Sequence, residues 1–116
     1  YDLTLEKEVL MDQTKETLQV TAFELILHSG NARTLIHEAY DLMENNEFTA
    51  AEQKLLAAND ELILAHRVQT TLLQDYAKGE EIIIEIIMVH AQDHLMTTMT
   101  LKEVAERMKL LYQRTS

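Results

Sequence analysis

Apolar and small residues recur at intervals of three and four along three stretches of the chain. The first carries Leu18, Ala22, Leu25, Ser29, Ala32, Ile36, Ala39 and Met43. The second carries Phe48, Ala51, Leu55, Ala58, Leu62, Ala65, Gln69 and Leu72, and the third Ile83, Ile87, His90, His94, Thr97, Leu101, Val104, Met108 and Leu111. Such a stripe lies on one face of an α-helix and suits near-parallel packing of long helices. The breaks are short. Asn45-Asn46 can end the first helix and cap the second, because Asn tolerates the left-handed conformation and also accepts N-cap hydrogen bonds. Residues 75–79 make the second turn, after which Glu80 and Glu81 suit the first turn of a third helix. Short connections force neighbouring helices to run antiparallel. The expected fold is therefore all-α, an antiparallel up-down-up three-helix bundle.

Two segments qualify that picture. Gly30 lies inside the first stretch and is expected to kink it. The run from Glu81 to Val89 is rich in β-branched residues and would pass for a buried strand. No second strand candidate exists to pair with it, and its stripe continues to Leu111, so it is read as helix. That third helix is apolar all round. Ile82, Ile86, Val89 and Met96 line a second face, and Ile84, Met88, Ala91, Leu95 and Met99 a third. A three-helix monomer buries about one broad face of each helix, so the remaining apolar area calls for a partner. Self-association, with third helices gathered around a cyclic axis, meets that need.

Composition narrows the functions available. The 116 residues suffice for one domain, with no proline and only two glycines, which agrees with few and long helices. Cysteine is absent, so thiolate chemistry and disulfides are excluded and a reducing cytoplasm suits the chain. A net charge of -10, with no local basic cluster, would repel a polyanion, which argues against nucleic acid as a partner. The apolar run at 82–89 is interrupted by Glu85 and too short to span a bilayer, so direct membrane insertion is not expected. The chain starts at Tyr1 rather than Met, and a trimmed start is expected.

Polar residues break the apolar third helix in one place, His90-Ala91-Gln92-Asp93-His94-Leu95-Met96-Thr97. His90 and His94, at i and i+4, stand one above the other, and Asp93 falls on the neighbouring face beside Val89 and Met96. Burying such groups among Met, Ile and Leu costs free energy unless they are paired. Three readings fit: hydrogen-bonded core histidines, a metal pair, or a phosphoryl acceptor. The metal reading lacks the Glu that follows the first His in a metalloprotease helix. A neutral imidazole is a good nitrogen nucleophile, and its phosphoramidate is labile enough to be passed on. Spacing does not choose between metal and phosphoryl.

The stretch Val89-His-Ala-Gln-Asp-His-Leu-Met-Thr97 closely resembles the signature of the enzyme IIA component of the lactose/cellobiose family of the phosphoenolpyruvate-dependent phosphotransferase system. Gly30-Asn-Ala-Arg33 with Glu38-Ala39, Glu47-Phe48 with Ala50-Ala51, and Ala65-His-Arg-Val-Gln-Thr70 follow the same pattern in order, covering about residues 17 to 114. Asn46 stands where that family usually has Gly. The resemblance implies a IIA domain over 17–116 preceded by an N-terminal segment, 1–16, expected to fray. It implies a homotrimer, with His90 as the phosphorylated residue through Nε2. Asp93 would meet its symmetry mates at the trimer axis around a divalent cation, with magnesium the natural choice for oxygen ligands. Gln92 and His94 match positions that orient His90 or its phosphate.

The implied function is a cytoplasmic phosphocarrier that accepts a phosphoryl group from the histidine of HPr and passes it to a cysteine of enzyme IIB. It would serve uptake of a β-linked disaccharide such as cellobiose, chitobiose or lactose. The rival from another class is a metal-stabilised helical oligomer acting as an adaptor. His66 and Gln69 are expected in a polar layer facing the site or the bundle interior. His28 and His37 are read as structural or surface residues, and Arg33 as a hydrogen-bond donor at a kink rather than a phosphate clamp.

Overall fold

The computed structural model describes residues 3–80, 82 and 85–116, with side chains from residue 15 onward. Three helices account for nearly all of them: α1 (Leu3–Glu44), α2 (Phe48–Ala77) and α3 (Ile86–Thr115). No strand occurs among the described residues. Cross-helix pairs fix the directions. His28 meets Glu61 and Glu38 meets Lys54, so α2 runs back along α1. Gln19 meets Glu85 and Arg33 meets Thr98, so α3 runs parallel to α1. Lys102 reaches Asn59, and Lys109 pairs with Glu52, which closes the third seam. The up-down-up topology expected from the short turns is present.

The first two stripes are the core. Every position of the first stripe is buried, and in the second the buried members are Ala51, Leu55, Ala58, Leu62 and Ala65. Half of the sixteen buried hydrophobics are alanines, which lets the helix axes approach closely. Ser29 is fully buried in this layer, and its hydroxyl has no hydrogen-bond partner in the bundle. A buried unsatisfied hydroxyl costs about 1–3 kcal/mol. Ser29→Ala removes it and improves helix propensity, so its urea midpoint is expected to rise, by about 1 kcal/mol in stability. A fall in the midpoint would show that the hydroxyl is satisfied after all.

The third stripe requires a correction. α3 turns Met88, Ala91, Leu95, Thr98 and Ala105 inward, while His90, Thr97, Val104 and Leu111 are exposed. The core face is the one that carries Leu95, not the one that carries His90. On a helix apolar all round, hydrophobicity barely distinguishes the faces, and the desolvation cost of imidazole turns the His90 face outward.

The helix boundaries also differ from the expected ones. α3 begins at Ile86 rather than at Glu80 or Glu81, after Glu85 in extended conformation (φ -113, ψ 163). Ile82 is non-helical and packs against the core; Glu81, Ile83 and Ile84 lie outside the described residues. Of the described residues of that run, Ile82 and Glu85 are non-helical and Ile86 to Val89 are helical. At the first turn, Asn46 adopts φ 60 and terminates α1 as expected. The N-cap of α2, however, is Glu47, with no side-chain cap, so Asn45 and Asn46 do not cap that helix. Gly79, at φ 92, makes the second turn. α1 runs through Gly30 without interruption. Its backbone is helical from Leu3, so it extends through the segment expected to fray, whose side chains up to residue 14 lie outside the description.

Candidate functional site

One turn beyond the start of α3, His90 projects into solvent. The spacing of four places His94 on the next turn, with ring centroids 6.0 Å apart and planes tilted by 56°. Asp93 is exposed on the flank, on a face shared with Ile86, Val89 and Met96, which are 88%, 57% and 50% exposed. The four expected site residues therefore divide. His90 and His94 stand together on one side of α3, Gln92 turns to α2, and Asp93 lies along the uncovered apolar side of the helix.

Neighbouring helices hold the cluster. From α2, Gln69 Nε2 donates to Gln92 Oε1 at 2.5 Å and lies 3.8 Å from the Met96 sulfur. The remaining amide of Gln92 approaches the Met88 sulfur at 3.7 Å. From α1, Arg33 Nη2 donates to Thr97 Oγ1 at 2.8 Å and to Thr98 Oγ1 at 3.1 Å, and Arg33 Nε to Thr98 Oγ1 at 3.2 Å. Thr98 Oγ1 in turn lies 3.4 Å from His94 Nδ1. A shallow groove of about 350 Å³ opens beside Val89 and Gln92, with Leu72, Leu73, Tyr76, Ile82 and Met88 as its other walls.

Gln69 joins the polar layer expected of it, through Gln92. His66 does not reach the cluster; it is exposed and lines a separate groove with Arg67 and Lys102. His28 forms a 2.7 Å pair with Glu61 across α1 and α2, and His37 is exposed beside Tyr40, so both are structural or surface groups. Arg33 has a larger part than a donor at a kink, since it reaches α3 just behind the histidines. Thr98 is fully buried and was not singled out by its sequence. The signal that could have found the pair is a glycine and an arginine one turn apart on α1, facing hydroxyls on α3.

Among the described residues, no three His, Asp or Glu side chains of one chain converge as a metal site would need. None of the three helices is long and apolar enough, over the described residues, to cross a membrane. The arrangement offers an accessible imidazole with a second ring, His94, 6.0 Å away.

Known proteins share this architecture and this chain's sequence. A lactose-specific EIIA component from Staphylococcus epidermidis is 40% identical over 102 residues, 88% of this chain and 98% of that protein. The crystal structure of PtcA from S. mutans superposes with a TM-score of 0.83 at 66% identity, covering 84% of this chain and 96% of that one. The IIA(chitobiose) of the Escherichia coli phosphotransferase system, solved in complex with HPr, superposes at 0.73 with 32% identity, over 84% and 95% of the two chains. The model of the lactose/cellobiose-specific IIA subunit of the PTS system matches residues 20–113, which span the histidine cluster and every side chain found to hold it. With sequence, fold and helix order in agreement, the chain belongs to the lactose/cellobiose-specific IIA family of the sugar phosphotransferase system.

Proposed function

We propose that this chain carries a phosphoryl group on His90 between HPr and enzyme IIB, in the uptake of a β-linked disaccharide such as cellobiose, chitobiose or lactose. The observation that carries the reading is the exposure of His90, one turn into a helix whose Gln92 and Thr98 are tied to α2 and α1. A bond forms from His90 Nε2 to phosphorus as the nitrogen–phosphorus bond of the donor histidine breaks, and in the second transfer a cysteine thiolate forms a sulfur–phosphorus bond as the His90 nitrogen–phosphorus bond breaks. Both partners approach the same face, because each must bring its reactive atom within attack distance. The E. coli relative in complex with HPr supports that donor. Transfer between proteins needs no nucleotide, and a cytoplasmic setting supplies both partners.

The reading extends to a homotrimer. Ile86, Val89, Met96, Val104 and Leu111 leave a long apolar side of α3 uncovered, which three copies packed about an axis would bury. Asp93 lies on that side. A single carboxylate cannot hold a cation, but three brought together offer the oxygen donors that a magnesium-like ion takes, and the ion would offset their mutual repulsion. Asp93 of each chain would hold it, and its chemistry is charge neutralisation within the assembly. Asp93→Leu is expected to abolish cation binding and shift the thermal stability of the trimer while phosphate uptake persists. A folded Asp93→Leu trimer that takes up no phosphate would contradict this division between the two faces.

The direct test is incubation of the wild-type chain with phosphoenolpyruvate, enzyme I and HPr. One acid-labile, base-stable phosphate per chain is expected, located on His90 by fragmentation. No incorporation, with HPr itself fully phosphorylated, would end the carrier reading.

A further inference from the structure

His94 is held by a chain of hydrogen bonds whose direction follows from counting protons. Arg33 has only N–H donors, so the Thr98 hydroxyl oxygen must accept from both Nε and Nη2. Those two bonds use both of its lone pairs. Thr98 is fully buried, and among the described residues the one other partner in reach of its hydroxyl is His94 Nδ1 at 3.4 Å. Its single proton therefore points at Nδ1. An Nδ1–H on His94 would face an oxygen with no lone pair left, so the ring carries its hydrogen on Nε2.

Gly30 supplies a second observation. It is helical, its φ is not positive, and a Cβ added there would meet only His94 Nε2, at 4.0 Å. Alanine would thus fit without a clash, and the mid-helix glycine sacrifices helix propensity for no steric reason. What it provides is the absence of a methyl group against Nε2. A Cβ there would stand in van der Waals contact with that nitrogen and crowd an acceptor atom approaching it from α1. The His90 ring stands 6.0 Å away, a separation that one tetrahedral oxyanion can bridge.

We propose that Arg33 and Thr98 are positioning residues that fix His94 as its Nε2–H tautomer, so that this N–H binds a phosphoryl oxygen on His90 in the gap left by Gly30. The inference deepens the carrier function proposed above and rests on it for the identity of the anion. Arg33 acts through Thr98 and touches no phosphate itself. The guanidinium is tied to two threonine hydroxyls behind the ring, which explains how a cation near the site contributes without clamping the group.

Side-chain nitrogen NMR of the assembled full chain reads the tautomer with no phosphate present. Wild type and Thr98→Ser, which keeps the hydroxyl, are expected to show His94 protonated on Nε2 alone. Thr98→Val is expected to show a mixture or the Nδ1–H form, and phosphoryl transfer from phospho-HPr should slow by up to about a hundred- to a thousand-fold, the effect of losing one oriented donor. Gly30→Ala should keep the wild-type tautomer and melt at a higher temperature, yet transfer more slowly. A wild-type His94 protonated on Nδ1, or Thr98→Val with an unchanged tautomer, overturns the relay. A changed tautomer with unchanged transfer rate in Thr98→Val, or full speed in Gly30→Ala, overturns the phosphate contact. Absence of phosphate uptake by wild type would instead defeat the carrier reading and leave the tautomer result standing.

Discussion

His90→Gln is expected to take up no phosphate from phospho-HPr while folding and assembling like the wild type. Glutamine keeps a polar side chain of similar reach and a good helix propensity, and it removes the nucleophilic ring nitrogen. His90 is exposed, and no hydrogen bond within the chain depends on it among the described residues, so the change should cost less than about 0.5 kcal/mol. The comparison with His94→Gln is informative. That variant retains the nucleophile and loses only the neighbouring donor, so labelling should persist at a reduced rate. Phosphoamino-acid analysis after brief incubation, together with an unchanged thermal melt, checks both. Acid-labile phosphate on His90→Gln, at His94 or His66, would move the acceptor elsewhere.

Leu95→Ala should be the most damaging core substitution on α3. Leu95 is fully buried, the largest apolar side chain that α3 buries completely, and it follows directly on His94. Truncating it removes the transfer free energy of the missing carbons and leaves a cavity that the flanking alanines cannot fill, at a cost of about 2–5 kcal/mol. Against a total stability of about 5–15 kcal/mol, that loss is severe. Urea titration at matched chain concentration measures it, since self-association makes the midpoint depend on concentration. A loss under about 1 kcal/mol would mean that α3 can rotate and refill the space with another apolar face. That outcome is worth testing, because this helix has three such faces in its sequence.

The same property limited what could be read before the fold was known. On α1 all eight stripe positions are buried. On α3 apolar residues occupy three faces of the sequence pattern, so their spacing alone could not say which side meets the bundle. The chemical residues were better guides than the apolar ones. His90 and His94 stand one above the other and Gln92 is tied to Gln69 on α2, and the desolvation cost of imidazole accounts for the outward turn of His90. Arg33 and Thr98 were illegible for a different reason. They lie 65 positions apart, and their contact arises only when α3 lies parallel to α1 in this register. The boundary at Ile86 was missed because a run of isoleucines serves a helix and an extended segment almost equally in pattern, and stiff β-branched side chains favour the latter.

The late start of α3 also changes the field around its reactive ring. Had the helix begun at Glu80, His90 would stand nearly three turns from the end; beginning at Ile86, it stands about 6 Å along the axis from the first residue. The peptide dipoles of thirty residues then add up to a partial positive charge just beneath it. An anion attached to that imidazole gains about 0.3–1 kcal/mol from this source at low ionic strength, an amount that added salt would screen. The start of α3 at Ile86 thus gives an acidic protein a mild local preference for negative charge.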